Sequence, residues 1–174
     1  MGADKALLDL GGRTAIERVV AACRDGGLTS IVIVRAEDAA PLPANVTADH
    51  SIVSVSVGEE MLHSVRTGLG AVASSAGVLV FPVDYAMVKA TTVRAVVADL
   101  VAGGEVVLPL FADRPGHPIG LARGVFPEVK NADTTLREVV VADDRRVRVV
   151  EVDDPWIRRD LDTPEDLAAA RAEL

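Results

Sequence analysis

Apolar and polar positions alternate between two periods along this chain. Between Thr14 and Arg24, Ile16, Val19, Val20 and Cys23 recur at helical spacing, and Thr14 with Glu17 supplies a T-x-x-E capping box. The pattern predicts a helix over about Ala15 to Arg24, ended by Gly26 and Gly27, then a short buried strand at Ser30 to Val34. Beyond a Pro- and Ala-rich loop around Pro41 to Asn45, Ile52 to Val57 reads as a strand, and Leu62, Val65, Leu69 and Val72 carry a helical stripe. Gly77 to Val83 is the strongest buried strand, and its end delivers Asp84 into a loop. A helix follows on Val93, Val96, Val97, Leu100 and Val101, then a strand at Glu105 to Phe111 and a turn at Arg114 to Pro118. An apolar stretch from Ile119, a capped helix from Thr135 with Glu138, and a strand at Arg146 to Val152 continue the rhythm. Thr163, Pro164, Glu165 and Asp166 open a last, Ala-rich helix with its cap, first-turn proline and acids. Alternating strands and helices without repeats or a long linker predict one α/β domain. Its sheet is mostly parallel and doubly wound, with ligands at the carboxyl ends of the strands.

Composition adds constraints. Aromatic residues make up only 3% of 174, so the core is built from Val, Leu, Ile and Ala, the usual filling of a sheet covered by helices. A net charge of -8 argues against a polyanion-binding surface, and nucleic acid is not an expected partner. A phosphorylated small molecule stays compatible with that charge, because a few local donors and Mg²⁺ can hold phosphate against it. Cys23, the single cysteine, falls on the buried stripe of the first helix, which excludes an internal disulfide. No stretch approaches a membrane span and the start lacks a secretion signal, so the cytoplasm is the expected compartment.

Against this frame a few residues could carry chemistry. Asp84 follows the best strand, where an open sheet places ligands; a carboxylate there can hold Mg²⁺, or simply cap a turn. In RRDLDTPEDL, Asp160 and Asp162 flank Leu161, so in extended backbone both carboxylates face one side. One of the two could complete a metal site with Asp84, while the other caps the next helix or is solvated. Lys5 precedes the turn Asp9 to Gly12, where an ammonium could neutralise a phosphate oxygen. His117 lies in the turn RPGHP, and His63, Ser64 and Arg66 lie at the start of the second helix, where backbone N-H groups favour anions.

Taken in order, MGADKALLDLGGRTAIERVV, MLHSVRTGL, VLVFPVDYAMV, RPGHPIGLARGVFPEV, DTTLREVV and RRDLDTPEDLAAA resemble the blocks of the MobA-like nucleotidyltransferases, most closely the molybdenum cofactor cytidylyltransferases. The resemblance spans essentially the whole chain. It implies a Rossmann-like three-layer fold of the nucleotide-diphospho-sugar transferase type, and transfer of CMP from CTP to the phosphate of molybdopterin with release of pyrophosphate. It further implies Mg²⁺ on Asp84 and on Asp160 or Asp162, Lys5 against the phosphates, Gly58 to Arg66 near the nucleotide, and His117 facing the acceptor.

Two departures qualify it. The family signature opens with a strand and a triphosphate-wrapping loop, LAAGxSxRMG, and this chain starts at the final Met and Gly of that signature. The resemblance therefore leads us to expect a longer native protein, with Met1 internal to it, no catalysis by these 174 residues alone, and open sheet edges where that strand would lie. In DYAMV, Ala86 stands where the family usually has proline. Competing readings are a relative that binds nucleotide or a partner without catalysis, guanylyl or sugar-phosphate transfer, and a nicotine-blue-type oxidoreductase. The last would need a nicotinamide fingerprint, GxGxxG, which the sequence lacks. Oligomeric state is left open.

Overall fold

In the computed structural model, which describes residues 4–54 and 61–174 with the side chains of 50–54 excepted, the strands fall into two sheets. Strands β1 (Val32–Ala36) and β2 (His50–Ser54) pair in parallel, Val32 opposite His50. The larger sheet contains β3 (Gly77–Val80), β4 (Val106–Phe111), β5 (Arg114–Pro115), β6 (Ile119–Ala122) and β7 (Val147–Glu151). Strand β6 lies antiparallel between β3 and β4, while β7 runs parallel along β4, so β3, β4 and β7 share one direction. The parallel frame is therefore kept, with β6 reversed inside it. The reason is length: residues 112–118 are too few for a crossover, so they can join only antiparallel strands.

Helices α1 (Ala15–Asp25), α2 (Met61–Ala71), α3 (Ala90–Val101), α4 (Phe126–Asn131), α5 (Leu136–Val141) and α6 (Pro164–Ala172) flank the strands. Reciprocal capping boxes at Thr14 with Glu17, Thr135 with Glu138 and Thr163 with Asp166 start three of them where the sequence places the caps. Helix α4 was not anticipated, because the apolar run from Ile119 conceals a switch from strand to helix at Arg123. Strand β1 begins two residues after the expected Ser30, and β2 covers only 52–54 of the expected 52–57; residues 55–57 lie outside the described part. Strand β3 stops at Val80 rather than Val83, since Pro82 has no N-H to donate.

Two apolar clusters result. One packs α1 and Ile31 and Ile33 against Ala86, Val88, Trp156, Ile157 and Leu161; the other joins α2 to β4, β6, α4 and α5. Cys23 belongs to the first, and burial pushes its thiol pKa up to about 12, so it stays protonated as a small core residue. Between β1 and β3 the sheet is interrupted by a cavity of about 660 Å³.

The β4–β5 hairpin turns on Ala112 and Asp113, both left-handed, at φ 49° and 59°. Two positive-φ residues are the signature of the tight turn that favours Asn-Gly, and alanine is poorly suited to it. Replacing the pair (Ala112→Asn with Asp113→Gly) should stabilise the chain by about 1 kcal/mol. Thermal unfolding with a raised midpoint and an unchanged far-UV spectrum is the expected result.

Candidate active site

The end of β3 sets the site. Pro82 leads into a single 3-10 turn, Val83–Tyr85, closed by the Tyr85 N-H donating to the Pro82 carbonyl (3.2 Å) and the Val88 N-H to that of Tyr85 (3.1 Å). This turn carries Asp84 off the strand end. From the other side arrives the segment 159–162, whose Leu161 N-H donates to the Asp84 carbonyl at 3.0 Å. Leu161 is fully buried, so the alternation expected of Asp160-Leu161-Asp162 is realised with the leucine in the core. One carboxylate oxygen each from Asp84, Asp160 and Asp162 comes within 4.8 Å of the other two.

Lys5 completes the cluster. It sits on a 3-10 turn, Lys5–Leu7, capped by Asp4, and the following bend is held by the Arg18 guanidinium donating twice to the Leu10 carbonyl (2.9 and 2.8 Å). Its ammonium hydrogen-bonds Asp162 and lies 3.6 Å from Asp84 Oδ2. The bond to Asp162 raises the Lys5 pKa, against a smaller opposing effect of burial, with the charges of Asp84 and Asp162 adding to it. The other oxygen of Asp84, Oδ1, is buried and has no hydrogen-bond partner among the described residues. An unsatisfied buried carboxylate oxygen is costly unless a cation or donor completes it.

His117 forms the far wall. Its ring lies 4.4 Å from that of Tyr85, centroid to centroid, and its backbone N-H donates to the Ile157 carbonyl at 2.8 Å. Gly116 permits this approach, since a Cβ there would stand 2.1 Å from the Ile157 carbonyl oxygen. The peptide from His117 to Pro118 is cis. Burial lowers the His117 pKa to about 4, partly opposed by the charge of Asp160, so the imidazole is neutral near pH 7, with Nδ1 buried and without a partner among the described residues. Tyr85 is raised by burial first, then by Asp160, Asp84 and Asp162, which marks it as a neighbour of the carboxylates.

The three candidates on α2 take other places. Arg66 donates to the Val129 (3.0 Å) and Ala132 carbonyls, where it ties α2 to the end of α4. Ser64 lines the cavity between β1 and β3. His63 accepts the Thr67 hydroxyl on its backbone carbonyl at 3.0 Å. Two further residues escaped the sequence reading. Tyr85 gave no signal beyond its place beside Asp84. Asp154 was signalled by the D-D-P-W order, an acidic cap before a first-turn proline. Fully buried, it accepts from the Lys89 N-H (2.8 Å), the Thr92 hydroxyl (2.7 Å) and the Trp156 N-H (3.1 Å), fastening the turn Pro155–Arg158 to the start of α3.

Strand-end carboxylates with an ammonium are suited to polyphosphate chemistry, and comparison with known proteins agrees. The sequence profile of the MobA-like NTP transferase domain matches residues 1–149. The chain belongs to that family. No curated protein matches the sequence. Solved structures do: Rv0371c from Mycobacterium tuberculosis H37Rv, in a manganese complex, superposes with a TM-score of 0.80 at 24% identity over 98% of this chain and 93% of that one. The 2-C-methyl-D-erythritol 4-phosphate cytidylyltransferase of Thermus thermophilus gives 0.73 at 21% over 98% and 95%. Molybdopterin-guanine dinucleotide biosynthesis protein A of Archaeoglobus fulgidus gives 0.65 at 18% over 99% and 91%. These neighbours share the nucleotide-diphospho-sugar transferase fold, and this MobA-like domain is a nucleotidyltransferase by family. Among its described residues no helix is long and apolar enough to cross a membrane. Ala86, in the family's proline position, is itself buried, within a turn hydrogen-bonded on both flanks.

The buried imidazole gives this MobA-like domain a defined acid response. His117 titrates near 4 when folded and near 6.5 in an ordinary setting, so unfolding takes up a proton between those values. Stability is then fully present above about pH 6.5 and falls as pH drops toward 4, with this group contributing a slope of up to about 1.4 kcal/mol per pH unit. Urea unfolding from pH 4.5 to 7 should show that slope, and His117→Gln should flatten it; the same slope in both proteins would remove the assignment.

Proposed function

We propose that this chain serves the transfer of CMP from CTP to the phosphate of a molybdopterin-type acceptor, with release of pyrophosphate and with Mg²⁺ as the divalent cation. The observation that carries the reading is the convergence of the Asp84, Asp160 and Asp162 carboxylates, with Lys5 bound to Asp162 and 3.6 Å from Asp84 Oδ2, Asp84 Oδ1 without a partner among the described residues, and His117 across Tyr85. All-oxygen donors at this spacing fit a hard divalent cation, and few protein carboxylates are what Mg²⁺ takes when phosphates and water fill its other positions. Rv0371c forms a manganese complex, and two neighbours are named for cytidylyl transfer and for molybdopterin-guanine dinucleotide synthesis; each supports the class by analogy.

The cation would be held by Asp84 with Asp160 or Asp162, and when bound it supplies charge neutralisation to the phosphates. Lys5 contributes a second positive charge beside it, fixed by the Asp162 bond and free to interact with a phosphate oxygen as a point charge. In-line attack of an acceptor phosphate on the α-phosphorus asks the protein chiefly for positioning and electrostatic compensation. His117, neutral and held by the Ile157 carbonyl, offers an acceptor nitrogen rather than another charge and would orient the acceptor molecule. The family resemblance would put His63, Ser64 and Arg66 on the nucleotide side; of these, Arg66 is already committed to two carbonyls, so its part would be to hold the helix.

Titration calorimetry with CTP and Mg²⁺, followed by pyrophosphate release with a molybdopterin acceptor, tests the reading. Asp84→Asn should retain the wild-type melting profile and lose cation-dependent nucleotide binding; undiminished binding would sink the assignment. Lys5→Met should separate the two functions of the cluster. Without the competing ammonium, Mn²⁺ binding should tighten on the order of tenfold, about 1.4 kcal/mol, while nucleotide binding weakens. Parallel loss of both would mean that Lys5 merely builds the fold.

A further inference from the structure

A second cavity, of about 380 Å³, lies between α1, residues 86–90 leading into α3, the turn Pro155–Arg158 and the residues that follow α6. None of Lys5, Asp84, Tyr85, His117, Asp160 and Asp162 lines it, so it is separate from the candidate active site. Its charge runs against that of the chain. Three cationic side chains, Arg13, Arg18 and Lys89, line it with two acidic ones, Asp25 and Glu173, in a sequence where acidic residues outnumber basic ones by 26 to 18. Among the described residues none of the three cations forms an ion pair with a carboxylate. Glu173 is committed elsewhere, accepting from Trp156 Nε1 at 2.8 Å and from Arg159 at 3.4 Å. Lys89 donates to the Asp153 carbonyl at 2.8 Å.

One residue, Leu10, brings the two guanidinium groups to the same place. Its N-H donates to the Arg13 carbonyl at 2.7 Å, closing a turn in which Gly11 and Gly12 hold φ of 66° and 81°. Its carbonyl takes Nε and Nη2 of Arg18, which leaves the Nη1 edge of that guanidinium for another acceptor. Arg13 is exposed and keeps its whole fork. Burial pushes the Arg18 pKa down, and the Arg13 charge adds to that effect against a smaller pull from Asp9. Two like charges held together without a carboxylate between them repel, and an anion at this point relieves the repulsion.

The rest of the lining is apolar. Trp156 turns its polar edge to Glu173 and so offers the cavity carbon surface, beside Met87. The short side chains of Ala21, Ala22 and Ala86 leave the space open. A volume of about 380 Å³ equals roughly a dozen water molecules at about 30 Å³ each, room for a small molecule rather than for a helix or a strand.

We propose that this cavity binds a small anion bearing an apolar group, with its carboxylate or phosphate at Arg13 and Arg18 and its apolar part against Trp156 and Met87. Guanidinium forks match the paired oxygens of either head group. The inference is independent of the assigned reaction, since it uses none of the groups placed in the candidate active site.

Trp156 is the single tryptophan of the chain, so its emission reports on the cavity directly. The intact protein, in EDTA so that the carboxylate cluster holds no cation to attract anions, is titrated with phenyl phosphate, benzoate and neutral benzyl alcohol. A saturable change with either anion and none with benzyl alcohol is expected, and the tighter anion identifies the head group. Arg13→Gln should weaken that binding on the order of tenfold. Asp25→Asn, which removes the uncommitted acid of the lining, should tighten it about threefold. Both variants should keep the wild-type melting profile, and a merely structural part for these exposed side chains would not move affinity in opposite directions. Equal binding of benzyl alcohol would reveal an apolar crevice and overturn the proposal. So would the absence of a saturable response to both anions, or two variants that shift affinity the same way or not at all.

Discussion

The hydrogen bond from the Leu161 N-H to the Asp84 carbonyl joins the two halves of the candidate site, and much of the surrounding structure serves to make it. It ties a segment near the end of the chain to the turn that ends β3, which places Asp84, Asp160 and Asp162 together. Leu161 and Ile157, both fully buried, press the segment onto the core formed with α1, and Asp154 locks the preceding turn to the start of α3. The Ile157 carbonyl then fixes His117. Acidic residues are thus held close by apolar anchors between them, which supply the free energy that like charges at this range would otherwise lack.

Much of this organisation was legible in the sequence because its signals are local. Capping boxes at Thr14, Thr135 and Thr163 mark helix starts through side chains three residues apart, and the run before Asp84 declares a strand by composition alone. The alternation of Asp160, Leu161 and Asp162 placed two carboxylates on one face without knowledge of their partner. What was not legible depends on long-range contact. Nothing within residues 119–131 tells where an apolar strand becomes an apolar helix, and α4 is decided by packing against α2. Arg66 is typical: its charge and helix position suggest an anion, whereas two carbonyls at the end of α4, more than sixty residues away, take its guanidinium.

The cavity between β1 and β3 and the carboxylate cluster lie on neighbouring elements, since β3 leads into the turn that carries Asp84. A parallel sheet places its ligands at strand ends because the strands hold those ends rigidly. A strand open on one side is a weaker support than one paired on both, and its local opening free energy is correspondingly lower.

Charge decides what that site can accept. Three carboxylates and one ammonium leave a formal charge of -2 at the cluster, since the neutral His117 adds nothing, and the whole chain carries -8. A nucleoside triphosphate would meet repulsion at short range and little help at long range, where salt screens beyond about 8 Å. A divalent cation on these oxygens would bring the cluster to neutrality, and in the proposed reaction Lys5 would then face the phosphates without a surplus of negative charge behind it. Under the proposed reading the carboxylates would confer cation dependence on nucleotide binding itself, before any chemistry begins, and a single lysine would suffice because the cation offsets its competitors.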